Sequence, residues 1–129
     1  MSHMDYYDNV KEKARTWNMT VTDMVKEFAN ITGQQPNPGL YEKLIVEEFV
    51  EWGEEADNPH DELKELSDLI YVCYGYALAM GWNLDEAVRR VHLNNIGRCL
   101  QPDGTVKRRE DGKILKDPNY PKVDLKDCL

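Results

Sequence analysis

The sequence Glu47-Glu48-Phe49-Val50-Glu51 is followed, after thirteen residues, by Glu65-Leu66-Ser67-Asp68. Each run contains a pair of carboxylates three residues apart, Glu48 and Glu51 in the first and Glu65 and Asp68 in the second. This spacing places both members of a pair on one face of a helix. If the two helices fold back antiparallel about a turn near residues 57–58, the pairs come level, because they lie equally far from the turn. The sequence therefore predicts a helical hairpin on which four carboxylates face one another: Glu48, Glu51, Glu65 and Asp68.

Apolar residues at helical spacing extend this hairpin into a predicted all-α bundle of four helices. Asparagine and threonine caps, followed by glycine stops, mark most of the ends. Residues 34–39, which are rich in Gln, Pro and Gly, are expected to form a loop before the acidic helix. The four helices are predicted over residues 20–31, 40–55, 58–81 and 83–98.

The chain of 129 residues is long enough for one domain, with 41% hydrophobic residues for a modest core. Residues 1–4 are interpreted as the remnant of an expression tag, and residues 5–129 as a single domain. Within it the bundle reaches to about residue 98, and residues 99–129 form an irregular arm with a hairpin turn at Asp111-Gly112. Because the core is small, we expect a homodimer or homotetramer.

The charge of the chain excludes some functions. Lys and Arg number 16 against 24 Asp and Glu, a net charge of −8, whereas nucleic-acid binders usually present a basic face. No apolar run reaches about 18 residues, and no basic-then-apolar leader is present. We therefore expect a soluble cytoplasmic protein without nucleic-acid or membrane partners. The three cysteines lack the spacing of a disulfide framework or a zinc site.

The acidic hairpin carries more negative charge than it can neutralise locally. Between Glu42 and Asp68 there are 11 acidic residues and two basic ones, Lys43 and Lys64. Crowded carboxylates repel one another and raise their pKa values unless a divalent cation lies among them. An all-oxygen set favours magnesium, or manganese in its place, over zinc. The alternative interpretation is a solvated acidic face, which is the usual meaning of a run of Glu on a helix.

The paired motifs EExxE and ExxD resemble the signature of the all-α nucleoside triphosphate pyrophosphohydrolases of the MazG-like family, whose relatives include dimeric dUTPases and phosphoribosyl-ATP pyrophosphohydrolase. The resemblance is greatest to the small MazG-like proteins of phages and bacteria. It extends over about residues 34–125, since residues 91–98 look like their Asn-x-x-Lys/Arg segment and Asp111-Gly112-Lys113 begins a similar tail. One departure is Arg98, where Lys is more usual in the family. The positive charge is kept, but a planar guanidinium group replaces the compact ammonium group of lysine.

The resemblance implies a four-helix MazG-like bundle that hydrolyses (d)NTP with magnesium between the α and β phosphates, giving (d)NMP and pyrophosphate. It places the metal ligands at Glu48, Glu51, Glu65 and Asp68, and a nearby base at Glu47, so that Glu47 and Glu48 are the candidate catalytic residues. The candidate substrate-binding residues lie in or near the basic arm, where they would neutralise phosphate oxygens: Asn95, Arg98, Lys113, Lys116 and Tyr120.

Several alternatives remain open on the sequence. The substrate could be phosphoribosyl-ATP or a modified nucleotide instead of an ordinary (d)NTP. A different class of protein, a non-catalytic acidic helical binding protein, requires neither the mirrored ExxD nor magnesium. Gln34, Gln35 and Asn37 could read the edges of a base, but a plain turn explains them equally well.

Overall fold

Five α-helices provide the regular structure of the protein, a computed structural model of which describes residues 3–16, 19–35 and 37–129. The all-α class is therefore confirmed. Pro36 of the predicted loop, and Met1 and Ser2 of the predicted tag remnant, lie outside the described residues. The helices are α1 (His3–Thr16), α2 (Val21–Thr32), α3 (Pro38–Glu54), α4 (Pro59–Met80) and α5 (Leu84–Cys99), followed by a short 3-10 turn at Lys126–Cys128.

The predicted number of four helices is wrong, because α1 was not expected. Tyr7, Val10 and Ala14 have helical spacing in this helix, but the surrounding sequence is mostly polar and no helix was predicted there. Its Lys and Glu residues have good intrinsic helix propensity. An ion pair joins Lys13 to Glu27 on α2, with Nζ 3.6 Å from Oε2.

Side-chain caps and glycines set the ends of the other helices as the sequence indicates. Thr20 and Asp23 form a reciprocal capping box at the start of α2, and Asn58 caps α4 by accepting a hydrogen bond from Asp61 N. Gly81 ends α4 in the left-handed conformation at φ 77°. The predicted loop 34–39 is too long, because Asn37 already caps α3 by accepting from Leu40 N at 3.1 Å.

The chain divides into two compact units, the first of which ends at Trp82. In this unit α3 packs along α4 and α2 packs on α4. Among the side chains of this unit that the structure describes, the most buried apolar ones are Val25, Tyr41 and Ala77. Tyr41 of α3 lies directly against Gly75 of α4, where a Cβ atom would clash with the ring.

The second unit, from Asn83 to Leu129, consists of α5 and the arm. Arg90 of α5 forms a bidentate ion pair with Asp127, and Asn94 Nδ2 donates to Pro121 O at 2.9 Å. The predicted hairpin is confirmed as an antiparallel bridge between Arg108 and Ile114, with Gly112 at φ 88°. The extent of the predicted single domain, with a boundary at about residue 98, stays a prediction.

Candidate metal centre

Three carboxylates meet where α3 packs on α4. One oxygen from each of Glu48, Glu65 and Asp68 lies within 4.8 Å of the others, and all three residues are half-buried. Glu48 is contributed by α3, and the other two lie one turn apart on α4. The antiparallel register that the sequence predicts therefore brings carboxylates of both motifs together.

Burial leaves part of this cluster without hydrogen-bond donors. Glu48 Oε2 and Glu65 Oε2 are buried, and neither oxygen has a hydrogen-bond partner among the described residues. Desolvation raises the pKa of Glu48 to about 7, and a hydrogen bond with Glu65 and repulsion by the neighbouring carboxylates act in the same direction. Burial contributes most to the raised pKa of Glu48, and the crowding that the sequence predicts adds to it.

Glu51 lies at the exposed edge of the cluster, one turn after Glu48. A hydrogen bond with Glu65 raises its pKa, assisted by desolvation and by the charge of Glu65. Glu51 therefore interacts with Glu65 of the cluster, although it is not one of the three residues whose oxygens converge. Glu47, the candidate base, is exposed on the same helix.

Lys64 forms ion pairs with two carboxylates of the cluster. Its Nζ lies 2.6 Å from Asp68 Oδ2 and 3.3 Å from Glu65 Oε1, and these two hydrogen bonds raise the pKa of the ammonium group. Lys64 is exposed, so solvent screens the pair. The ion pair leaves the buried oxygens of Glu48 and Glu65 without a counter-charge of their own.

The arrangement fits a hard divalent cation. It offers carboxylate oxygens from two rigid helices, and two of these oxygens are buried without donors, an arrangement that is costly unless a cation or proton satisfies them. Oxygen ligands are those preferred by magnesium and manganese. Glu48, Glu65 and Asp68 could hold such an ion, with Glu51 at the edge.

The candidate substrate-binding residues all lie in the second unit, and the structure brings two of them together. Arg98 and Lys116 line a cavity of about 440 Å³, to which Lys107 also contributes. Among the arginines whose side chains the structure describes, which are Arg89, Arg90, Arg98, Arg108 and Arg109, only Arg98 has no ion pair or side-chain hydrogen bond with protein. The remaining three candidates do not line this cavity: Asn95, Lys113 and Tyr120.

Comparison with known families gives a match for most of the first unit and part of the second. A family model described as phosphoribosyl-ATP pyrophosphohydrolase matches residues 14–95, which include every candidate metal ligand. The chain belongs to this family. Membership supports a nucleotide pyrophosphohydrolase activity with metal-dependent chemistry, and it confirms a relative named by the sequence resemblance. Comparison with curated proteins gave no match.

Sequence reasoning missed three features of these sites. Lys64 was recognised as a scarce cation but not as a partner of the carboxylates, although its i, i+4 spacing to Asp68 was a usable signal. Lys107 lines the basic cavity beside Arg98 and Lys116, and no motif marks it. The close approach of Tyr41 to Gly75 depends on how two helices pack, which spacing along one helix does not reveal.

Proposed function

We propose that the protein is a magnesium-dependent nucleotide pyrophosphohydrolase that cleaves (d)NTP between the α and β phosphates to give (d)NMP and pyrophosphate. The observation that carries this proposal is the half-buried cluster of Glu48, Glu65 and Asp68, with unpartnered oxygens, in a chain of this family. A solvated acidic face would leave its carboxylates exposed to water. The substrate and the metal are the parts of the proposal that go beyond family membership.

The proposed ligands of the metal are Glu48, Glu51, Glu65 and Asp68, and manganese can replace magnesium because both prefer oxygen donors. When bound, the metal supplies charge for the phosphate oxygens and lowers the pKa of a coordinated water. Glu47 is proposed to accept the proton of the attacking water, a role for which its exposed position gives solvent access.

The proposed contacts to the phosphates come from the second unit. Arg98, Lys107 and Lys116 surround one cavity, and a guanidinium with two ammonium groups suits phosphate oxygens. Cations gathered in this way are unusual in a chain of net charge −8. Asn95, Lys113 and Tyr120 remain candidate substrate-binding residues on the sequence resemblance.

A second candidate substrate is phosphoribosyl-ATP, which the description of the matching family names. Modified nucleotides form a third group. These alternatives share the same reaction class and the same carboxylates, so only a substrate comparison separates them. A non-catalytic acidic binding protein is the alternative from another class, and it predicts no turnover with any nucleotide.

We also propose that the protein assembles as a homodimer or homotetramer. The hairpin leaves rows of large apolar side chains exposed: Val46, Phe49 and Val50 on α3, and Leu63, Leu66 and Ile70 on α4. Exposed apolar rows of this kind mark protein interaction surfaces. A monomer mass by light scattering at micromolar concentration would contradict the assembly. No described helix is both long and apolar enough to cross a membrane; the cytoplasm stays the compartment proposed from sequence.

Pyrophosphate release tests the activity. The assay should cover the ribo- and deoxynucleoside triphosphates and phosphoribosyl-ATP, with magnesium, with manganese and with chelator. We expect metal-dependent formation of monophosphate and pyrophosphate, abolished by Glu48→Gln with the fold retained, and unaffected by Glu42→Gln on the same helix. The proposal would be refuted if no substrate released pyrophosphate with either metal, or if Glu48→Gln kept full activity.

A further inference from the structure

The first unit contains a cavity of about 530 Å³ that the carboxylate cluster does not use. Its walls come from the last turns of α2, from the loop that follows α2, and from the C-terminal half of α4. A volume in this range is typical of sites for small organic ligands. The cavity is large enough for the base and sugar of a nucleotide.

Small side chains and one aromatic ring shape the interior of this cavity. Ala29, Gly75 and Ala79 keep the walls open, and the ring of Tyr41 borders the space. Tyr41 is only 8% exposed and is held against Gly75, so its position is fixed by packing. An aromatic side chain in the wall of a cavity suits a heterocyclic ligand, because aromatic groups pack favourably with one another.

The polar groups of the lining differ from those of the metal centre. Lys26, Asn30, Gln34 and Gln35 border the cavity, and among its described lining residues there is no carboxylate. Gln34 Nε2 donates to Gln35 O at 3.3 Å, whereas the side chains of Lys26, Asn30 and Gln35 have no hydrogen-bond partner in the described chain. Amides present donors and acceptors together, as the edges of bases do.

The cavity and the carboxylates occupy the same helix pair. Tyr41 precedes Glu48 by seven residues on α3, and Gly75 follows Asp68 by seven residues on α4. Seven residues are two turns, so each pair shares a helix face and is separated by about 10 Å along the axis. The cavity therefore lies two turns from the cluster, at the end of the hairpin away from the α3–α4 connection.

We propose that this cavity binds the nucleoside part of the substrate, and that Asn30 and Gln34 select the base. The proposal rests on the proposed function, because the phosphates of the same nucleotide would then extend toward the carboxylates. It also favours the base-reading interpretation of Gln34 over that of a plain turn. Asn37 is instead used as the cap of α3.

One substitution that fills the cavity and two that remove polar side chains from its wall test the proposal. Ala29→Leu places a larger side chain in the cavity on a helical residue, and Ala14→Leu on α1 is its matched control because Ala14 is exposed and lies outside the cavity. Asn30→Ala and Gln34→Ala remove polar groups with little risk to the fold. Each variant is first compared with the wild type by thermal unfolding. The measurements are kcat/KM over the nucleoside triphosphate panel, and calorimetric binding of the monophosphates in chelator.

We expect Ala29→Leu to weaken monophosphate binding and raise KM by about tenfold, equivalent to about 1.4 kcal/mol, while Ala14→Leu behaves as the wild type. Asn30→Ala and Gln34→Ala should change the ratio of kcat/KM between bases by about tenfold, since unpaired polar groups penalise the wrong base. A wild type that turns over nucleotides while these variants keep its binding and base ranking would overturn the cavity assignment. A wild type that binds monophosphates through this cavity without turnover would overturn the proposed function alone.

Discussion

The ring of Tyr41 on α3 lies directly against the backbone of Gly75 on α4. The absence of a side chain at Gly75 allows this approach, since a Cβ atom there would overlap the ring. The same helix pair carries Glu48 and Asp68 two turns away. The carboxylates of the candidate metal centre therefore lie on a helix pair that makes a close packing contact two turns away.

Gly75→Ala should therefore destabilise the protein. Overpacking a tight contact typically costs about 1–3 kcal/mol, because ring and helix must move apart. Urea unfolding gives this free energy. Gly53→Ala on α3 is the control, since a Cβ atom there meets nothing within 4 Å. Equal stability of the two variants would show that the helices do not depend on the contact.

A divalent cation should stabilise the folded protein through the carboxylate cluster. At a magnesium concentration of about one hundred times Kd the gain is about 2.7 kcal/mol, because the ion binds the folded state alone. Differential scanning calorimetry with and without magnesium measures it. Glu48→Gln should lose this gain, whereas Glu42→Gln should keep it. An unchanged Tm of the wild type in the presence of either magnesium or manganese would argue against a metal at this cluster.

Removal of Lys64 should strengthen cation binding. Its ammonium group lies 2.6 Å from Asp68 Oδ2, so it repels an incoming cation and competes for the same oxygen. We expect Lys64→Gln to lower the magnesium Kd by a few-fold at low salt, and by less at high salt because of screening. Isothermal titration calorimetry checks this, with Lys43→Gln as the control. A weaker affinity in Lys64→Gln would show that the lysine positions the ligands.

The basic cavity of the second unit should contribute to substrate affinity. Lys107 borders it with Arg98 and Lys116 and has no ion pair in the described chain. We expect Lys107→Gln and Lys116→Gln each to raise KM for a triphosphate by about tenfold, as expected when a charged hydrogen bond is lost. Steady-state kinetics measures the effect, and Lys11→Gln on α1 is the control. If Lys116→Gln alone raised KM, Lys107 would be a surface lysine.

Acid should destabilise α5 and the arm through Glu86. Hydrogen bonds from Arg89 and Arg90 hold the pKa of Glu86 at about 2, below its ordinary value of 4.5. Because the folded pKa is lowered, the ionised group stabilises the fold fully above about pH 4.5, and this contribution is lost as the pH falls toward 2. Urea midpoints over this range should fall less steeply for Glu86→Gln than for the wild type. Glu110→Gln, at an exposed residue of the arm, should follow the wild type.

Much of the helical hairpin could be predicted from local sequence. The caps at Asn58 and Asn83 and the stop at Gly81 act through their own backbone neighbours, so the order of residues is enough to locate them. The meeting of Glu48 with Glu65 and Asp68 could also be predicted, because equal distances from a short connection fix the register of an antiparallel pair. α1 was not predicted, because its few apolar residues lie in a mostly polar segment and intrinsic helix propensity alone is a weak signal.

The sequence by itself determined the all-α class, the helical hairpin and the acidic motifs that it brings together. These follow from periodicity and from contacts between residues close in the chain. Tertiary structure decided which carboxylate oxygens are buried without donors, how closely Tyr41 approaches Gly75, and that Lys107 joins Arg98 and Lys116. Such properties depend on the packing of side chains from distant segments, where a shift of about one ångström changes burial, charge and access together.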